Sequence, residues 1–217
     1  MYVIEDVLSE EESTALLGRI ADIEMEDGRR TAQGMAREVK NNRQLTAELA
    51  PELIRELTEK IVANRRLQAL AMPRRVGNVR ISRYTEGMEY GTHTDAAVMP
   101  GGLRADLSFT LFLTEPSSYE GGELALETEV GERRLKLRTG AMLLYSTGSL
   151  HRVLPVTRGE RIAVVGWVQS RIRDAAKRAL ILDLEVARQA HLKKAGHDRA
   201  ADLLLKSTEN LRRMWDD

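Results

Sequence analysis

Arg161-Ile162-Ala163-Val164-Val165-Gly166-Trp167-Val168 alternates in character, and in an extended chain that alternation puts Arg161, Ala163, Val165 and Trp167 on one face. An arginine among small and apolar neighbours is costly to bury unless something pairs it. From Val76 onward the chain keeps this extended period, in short apolar segments divided by glycine, proline and polar turns. Strands are expected near 76–83, 107–113, 123–128, 133–138, 141–145, 151–156 and 161–168. Many short strands at such spacing describe a sandwich or a barrel.

The flanks read differently. Ser9 followed by Glu12 is a capping-box pattern, and Leu16, Leu17, Ile20 and Ile23 follow at helical spacing, predicting a helix over about 10–23. Gly28 to Gly34 breaks that pattern and reads as a loop or a short turn-linked strand. Pro51 suits a helix start, with Leu53, Ile54, Leu57 and Ile61 continuing on one face. After Ser170 the helical period returns. One stripe runs Ile172, Ala176, Leu180 and Leu184; another runs Ala201, Leu204, Leu205, Thr208, Leu211 and Trp215, with Gly196 between the two. The chain therefore divides into an N-terminal helical support (1–75), a β core (76–170) and a C-terminal helical extension (171–217). The fold class is α+β, mainly β.

Next to the strands stand His93, Thr94 and Asp95, and a second histidine, His151, follows much later. On a strand an H-x-D pair can aim an imidazole and a carboxylate at one point, and His151 would complete three ligands, although in isolation each histidine reads more readily as a core or turn residue. Two histidines and a carboxylate on one side of a metal leave the remaining positions open, the arrangement used by non-heme Fe(II) oxygenases. Arg161, ten residues beyond His151, supplies a fixed cation whose planar fork suits a carboxylate. The chain has four histidines; His191 and His197 sit in the charged C-terminal region and read as ordinary surface.

The text around these residues is more specific than the triad. Tyr84-Thr85-Glu86-Gly87-Met88-Glu89-Tyr90-Gly91-Thr92-His93-Thr94-Asp95, Asp106-Leu107-Ser108-Phe109-Thr110-Leu111-Phe112-Leu113, Gly121-Gly122-Glu123-Leu124 and His151-Arg152-Val153-Leu154-Pro155-Val156-Thr157-Arg158-Gly159-Glu160-Arg161 resemble the PKHD-type (prolyl/lysyl hydroxylase-like) bacterial hydroxylases, a branch of the Fe(II)/2-oxoglutarate dioxygenases. The resemblance runs from Val39-Lys40-Asn41-Asn42 to Gln169-Ser170-Arg171-Ile172-Arg173-Asp174. It implies a double-stranded β-helix, or jelly roll. It implies Fe(II) on His93, Asp95 and His151, with 2-oxoglutarate and O2 as co-substrates and ascorbate as a supporting reductant. Arg161 would clamp the distal carboxylate of 2-oxoglutarate and Tyr84 would share it. Many relatives carry Ser or Thr two positions after this arginine; here it is Ala163, so a hydroxyl partner must come from elsewhere. Where relatives often have Asn-Arg-Tyr, this chain has Ser82-Arg83-Tyr84. Tyr90 falls on the opposite parity from His93 if its strand is regular, which ranks it below Tyr84. Ala96 to Arg104 is a glycine-rich lid, a substrate loop or a passive connection; Lys40, Asn41 and Asn42 line the entrance or cap a turn.

Thirty-three basic residues balance thirty-three acidic ones, so no global field favours nucleic acid or an anionic membrane. With no cysteine, disulfides and thiolate metal sites are excluded. The start, Met1-Tyr2-Val3-Ile4-Glu5-Asp6, lacks the pattern of a secretion signal, and a cytoplasmic location is the expectation. The hydroxylation acceptor is expected to be a prolyl/lysyl-type protein or an amino-acid-derived small molecule, and the long C-terminal helices suggest a homodimer. The rival reading is a noncatalytic iron sensor or scaffold on the same jelly-roll frame.

Overall fold

The computed structural model describes residues 1–216. In chain order the elements are β1 (Tyr2–Ile4), α1 (Glu10–Ile20), β2 (Glu26–Asp27), α2 (Gly34–Glu38), β3 (Lys40–Asn41), β4 (Arg43–Leu45), α3 (Pro51–Ala63), α4 (Arg65–Ala71), β5 (Pro73–Tyr84), β6 (Glu89–His93), β7 (Val98–Met99) and β8 (Leu103–Arg104). There follow β9 (Leu107–Phe112), β10 (Glu120–Gly121), β11 (Leu124–Thr128), β12 (Gly131–Leu135), β13 (Met142–Ser146), β14 (His151–Val153), β15 (Val156–Arg158), β16 (Arg161–Ser170), α5 (Ala175–Ala195) and α6 (Arg199–Trp215). A seven-stranded sheet, β1-β13-β9-β16-β5-β4-β2, faces a five-stranded sheet, β12-β11-β14-β6-β3, and every pairing is antiparallel. This is the expected jelly roll.

Alternation within the large sheet sorts its side chains into two cores. Val79, Ile81, Phe109, Leu111, Met142, Leu144, Ile162 and Val164 pack outward under Leu16, Ile20, Leu53, Ile54, Leu57 and Ile61 of α1 and α3. Tyr84, Phe112, Leu143 and Tyr145 point inward against Leu124, Leu126, Val153 and Val156 of the smaller sheet. Covered on both faces, β9 buries every residue, which explains why its apolar residues alternate with a serine and a threonine that are also buried.

The helix starts follow local chemistry. The Ser9 hydroxyl accepts from the Glu12 N–H at 3.2 Å while the Glu12 carboxylate accepts from the Ser9 N–H at 2.8 Å, a complete capping box, and Pro51 opens α3. α1 stops at Ile20, three residues short of expectation. Asn64 ends α3 and caps α4, its side-chain oxygen accepting from the N–H groups of Arg66 and Leu67, both at 3.0 Å; this short second helix was not expected. Residues 28–31 form a 3₁₀ turn.

Two expectations need correction. The segment 1–75 is not purely helical, because β1 joins β13 at one edge of the large sheet, β4 and β2 extend it at the other, and β3 extends the small sheet. These strands are two or three residues long, too short to carry a period of their own. In α5 the expected stripe fails: Ala176 and Leu180 face solvent, while Arg178 and Ile181 are buried. Arg178 Nη1 donates to the carbonyls of Ile172 and Arg173, each at 2.7 Å, which pins that face inward. In α6 Ala201 and Thr208 turn inward as expected and Leu205 is exposed. No helix among the described residues is long and apolar enough to cross a membrane.

Candidate active site

His93 ends β6 and His151 opens β14, and the two are direct cross-strand partners with ring centroids 4.3 Å apart. Asp95 lies two residues past the end of β6, so strand pleating does not aim it. Two side chains of the large sheet do: Ser108 Oγ donates to Asp95 Oδ2 at 2.8 Å and Trp167 Nε1 donates to the same oxygen at 2.9 Å. The Nε2 atoms of His93 and His151 each stand 3.8 Å from an Asp95 oxygen, and the three donor atoms lie within 4.8 Å of one another. Three donors this close together could hold one small ion.

Both imidazoles are set up to bind through Nε2. His93 Nδ1 is 2.8 Å from the Gly91 carbonyl and His151 Nδ1 is 3.0 Å from the Ser149 carbonyl. An Nδ1–H donated to a carbonyl leaves the Nε2 lone pair free for a metal. Burial, and then the neighbouring His151, pushes the His93 pKa down, so the ring is neutral and ready as a ligand near pH 7.

At the other end of the inner face Arg161 is 1% exposed, the largest side chain among the fully buried ones. It pairs across strands with Tyr84, and its guanidinium lies 5.1 Å from the Tyr84 ring centroid and 5.4 Å from that of Phe112. Among the described residues its Nε has no hydrogen-bond partner, and neither does the buried Tyr119 hydroxyl, which approaches the same guanidinium without completing a bond. Asn42, beside the Tyr84 phenol, leaves both ends of its buried amide unsatisfied. Orphaned donors on a buried cation are expensive, and a carboxylate is the group that would satisfy them. Gly122 keeps the space clear: it sits at φ 66°, and a Cβ there would come within 3.1 Å of both Arg161 Cδ and the Tyr119 ring. The donor set therefore fits Fe(II), and the Arg161 pocket fits an acid held some way from it.

Tyr119, Ser108 and the indole of Trp167 were not singled out in the sequence as site groups. The Tyr119 hydroxyl stands beside the Arg161 guanidinium, where Ala163 offers none, and it carries no sequence signal, since it precedes a two-residue strand. Tyr90 also needs correction. His151 pairs with His93 and Val153 with Tyr90, so β6 has one residue more than β14 over this stretch, and the bulge reverses the parity assumed for a regular strand. Tyr90 consequently shares the His93 face and stacks on that imidazole with centroids 3.6 Å apart. Lys40 and Asn42 turn inward and are buried, whereas Asn41 is exposed and donates to the Gly87 carbonyl. Ser82 accepts from Gln44 Nε2 at 2.9 Å. Ala96 to Arg104 forms the β7–β8 hairpin, whose Met99 and Leu103 pack with Trp167. His191 and His197 stay remote, each beside an aspartate of the α6 start, Asp198 at 2.8 Å and Asp202 at 2.9 Å.

Residues 79–169 match the family model of the 2OG-Fe(II) oxygenase superfamily. A PKHD-type hydroxylase of Synechococcus sp. (strain JA-2-3B'a(2-13)) is 46% identical over 219 residues, covering 98% of this chain and 97% of the relative. A second, from Parvibaculum lavamentivorans, is 48% identical over 193 residues, covering 88% and 86%. Among solved structures, a prolyl-4-hydroxylase of Pseudomonas putida superposes with TM-score 0.56 at 20% identity, covering 78% of this chain and 92% of that one. HygX of Streptomyces hygroscopicus, solved with nickel, 2-oxoglutarate and hygromycin B, superposes with TM-score 0.59 at 14% identity, covering 78% and 83%. Sharing nearly half its residues with these hydroxylases from end to end, and folding as the solved oxygenases do, the chain belongs to the PKHD-type hydroxylases of the 2OG-Fe(II) oxygenase superfamily.

Proposed function

We propose that this Fe(II)- and 2-oxoglutarate-dependent hydroxylase oxidises an unactivated C–H bond of a prolyl/lysyl-type or amino-acid-derived acceptor. The observation that carries the reading is the pairing, on one inner face, of a three-donor cluster with a buried arginine that has no carboxylate partner among the described residues. His93, Asp95 and His151 would hold the iron. Arg161 would clasp the distal carboxylate of 2-oxoglutarate, with the Tyr119 hydroxyl completing the cradle and Tyr84 and Phe112 walling it. Bound iron and 2-oxoglutarate supply the oxidising equivalents: dioxygen is consumed, succinate and carbon dioxide are released, and the acceptor C–H becomes C–OH. The protein's own part is to aim both imidazoles through their Nδ1 contacts with backbone carbonyls, to lock Asp95 with two donors on one oxygen so that the other stays available, and to exclude water with Phe112, Leu143 and Tyr145.

The acid–arginine arrangement also weighs against the noncatalytic iron sensor, which needs no buried cation beside its metal. Purified protein given Fe(II), ascorbate as reductant and 2-oxoglutarate should form succinate, at a higher rate once an acceptor is found. Asp95→Ala and His151→Ala should abolish that turnover with the fold retained. Tight iron binding without succinate across a panel of prolyl, lysyl and free amino-acid acceptors would favour the sensor. The cytoplasm is the proposed compartment, consistent with a cysteine-free chain that needs no oxidising environment.

A further inference from the structure

Near the metal cluster lie two more buried cations. Lys40 is 5% exposed and Arg80 is 7% exposed. Each covers an aromatic ring that itself touches a metal-ligand residue. Lys40 Nζ is 4.9 Å from the centroid of Tyr90, which stacks on His93; Arg80 Cζ is 4.8 Å from the centroid of Trp167, which donates to Asp95. Thr31 joins the two cations, its hydroxyl accepting from Lys40 Nζ at 2.9 Å and its carbonyl from Arg80 Nη1 at 3.5 Å.

Neither cation has a carboxylate within ion-pair distance among the described residues. Lys40 donates otherwise only to the Gln44 amide oxygen at 3.3 Å, and Arg80 only to the Asn78 carbonyl at 3.2 Å. The acidic groups nearby are committed: Asp27 to Arg29 at 2.6 Å, Glu26 to Arg30 at 3.1 Å, and Asp95 to the metal cluster. Burial, with Arg80 adding repulsion, drags the Lys40 pKa down to about 7, the mark of a cation lacking a counter-ion. Two like charges held together without compensation are costly unless a ligand supplies the missing charge. Once a metal ion occupies the cluster and draws on Asp95, the deficit grows.

We propose that Lys40 and Arg80 form a subsite for a carboxylate carried by the acceptor, which would sit between the Tyr90 and Trp167 rings one side-chain length from the metal ligands. The carboxylate is either that of a free amino or organic acid or one borne by a peptide. The word acceptor rests on the hydroxylase reading; the anion subsite is tested apart from it.

The probe is acetate, with acetamide as its neutral isostere, added at constant ionic strength to the full chain loaded with Zn(II) and 2-oxoglutarate. Trp167 and Trp215 are the two tryptophans, so in a Trp215→Phe background the indole N–H resonance reports on Trp167 alone. Acetate should shift it saturably and acetamide should not. Lys40→Gln and Arg80→Gln should each weaken the response by roughly tenfold or more, while Arg80→Lys keeps most of it. A dispersed indole resonance in each variant certifies the fold. No saturable shift in the parent, or equal shifts by acetate and acetamide, would overturn the subsite. A second arm measures acceptor-stimulated 2-oxoglutarate consumption with Fe(II), using amino acids against their amides and acidic peptides against amidated ones. Preference for the free acid in one set identifies the source, and equal use of acid and amide in both overturns the proposal. An acetate response with no turnover at all would instead sink the hydroxylase reading and leave the anion subsite standing.

Discussion

Arg161 offers the sharpest separation of co-substrate binding from metal binding. Two parallel charge-assisted hydrogen bonds to a carboxylate are each worth about 1.5–3 kcal/mol, so Arg161→Ala should raise the 2-oxoglutarate Michaelis constant by roughly ten- to a hundredfold or more. Arg161→Lys should recover part of this through charge alone. Iron affinity without 2-oxoglutarate should barely change in either. Two neighbouring cations, Arg83 beside Tyr84 and Arg152 beside His151, already face acidic partners, Glu160 at 3.1 Å and Glu132 at 2.7 Å. An unchanged Michaelis constant in Arg161→Ala would remove the clamp assignment. Ser108 and Trp167 act one step back, by orienting Asp95. Removing either donor, as Ser108→Ala or Trp167→Phe, should weaken Co(II) binding by about 10–100-fold, read by titration of the metal's visible absorption. Undiminished affinity in both would mean that Asp95 holds its orientation without them.

At the scale of elements, the β7–β8 hairpin packs on Trp167, which in turn donates to Asp95. Its turn, Gly101-Gly102, lies at φ 78° and 71° with open space around it, whereas Leu103 is 1% exposed in the cluster with Trp167. Shortening the turn should change acceptor turnover while leaving uncoupled 2-oxoglutarate decay largely intact. Leu103→Ala, which opens a cavity worth about 2–5 kcal/mol, should lower both. If turn shortening in a well-folded variant depresses both activities together, the hairpin is structural. A second element test concerns the junction of α3 and α4. Asn64→Ala removes the oxygen that accepts from two N–H groups at the α4 start, and should cost about 1 kcal/mol and about 2–4 °C of Tm.

For the whole molecule, the metal cluster couples to stability because it brings two buried imidazoles and a half-buried carboxylate together only in the folded chain. A metal ion at about a hundred times its Kd should add about 2.7 kcal/mol, or roughly 5–10 °C in Tm, and chelation should remove it. Asp95→Ala should erase the increment; its persistence would put the ion elsewhere. The C-terminal pair packs α5 on α6 and leaves Leu180, Val186, Leu203 and Leu205 exposed, so a homodimer through this pair is the expected state in solution. Light scattering that returns the mass of one chain would exclude it.

What the sequence by itself determined is whatever depends on local pattern and residue type. Strand alternation in Arg161–Val168, the Ser9–Glu12 cap and the proline at the α3 start are short-range facts, and they prescribed the β core and its leading helices. The metal donors were legible because the stretches around them resemble the PKHD-type hydroxylases; the H-x-D pair alone is a weak signal, and its strand ends before Asp95. Tertiary structure decided what depends on contacts between distant segments. The short strands β1 to β4 at the sheet margins pair only because sheets are there to receive them, and the α5 face turned on where Arg178 could reach a carbonyl. The β6 bulge, set by pairing with β14, moved Tyr90 onto the His93 face. Most of all, the charge of Lys40 and Arg80 is balanced in the composition and unbalanced in place, because net charge sums over the chain while the cost of burial falls on each group where it lies.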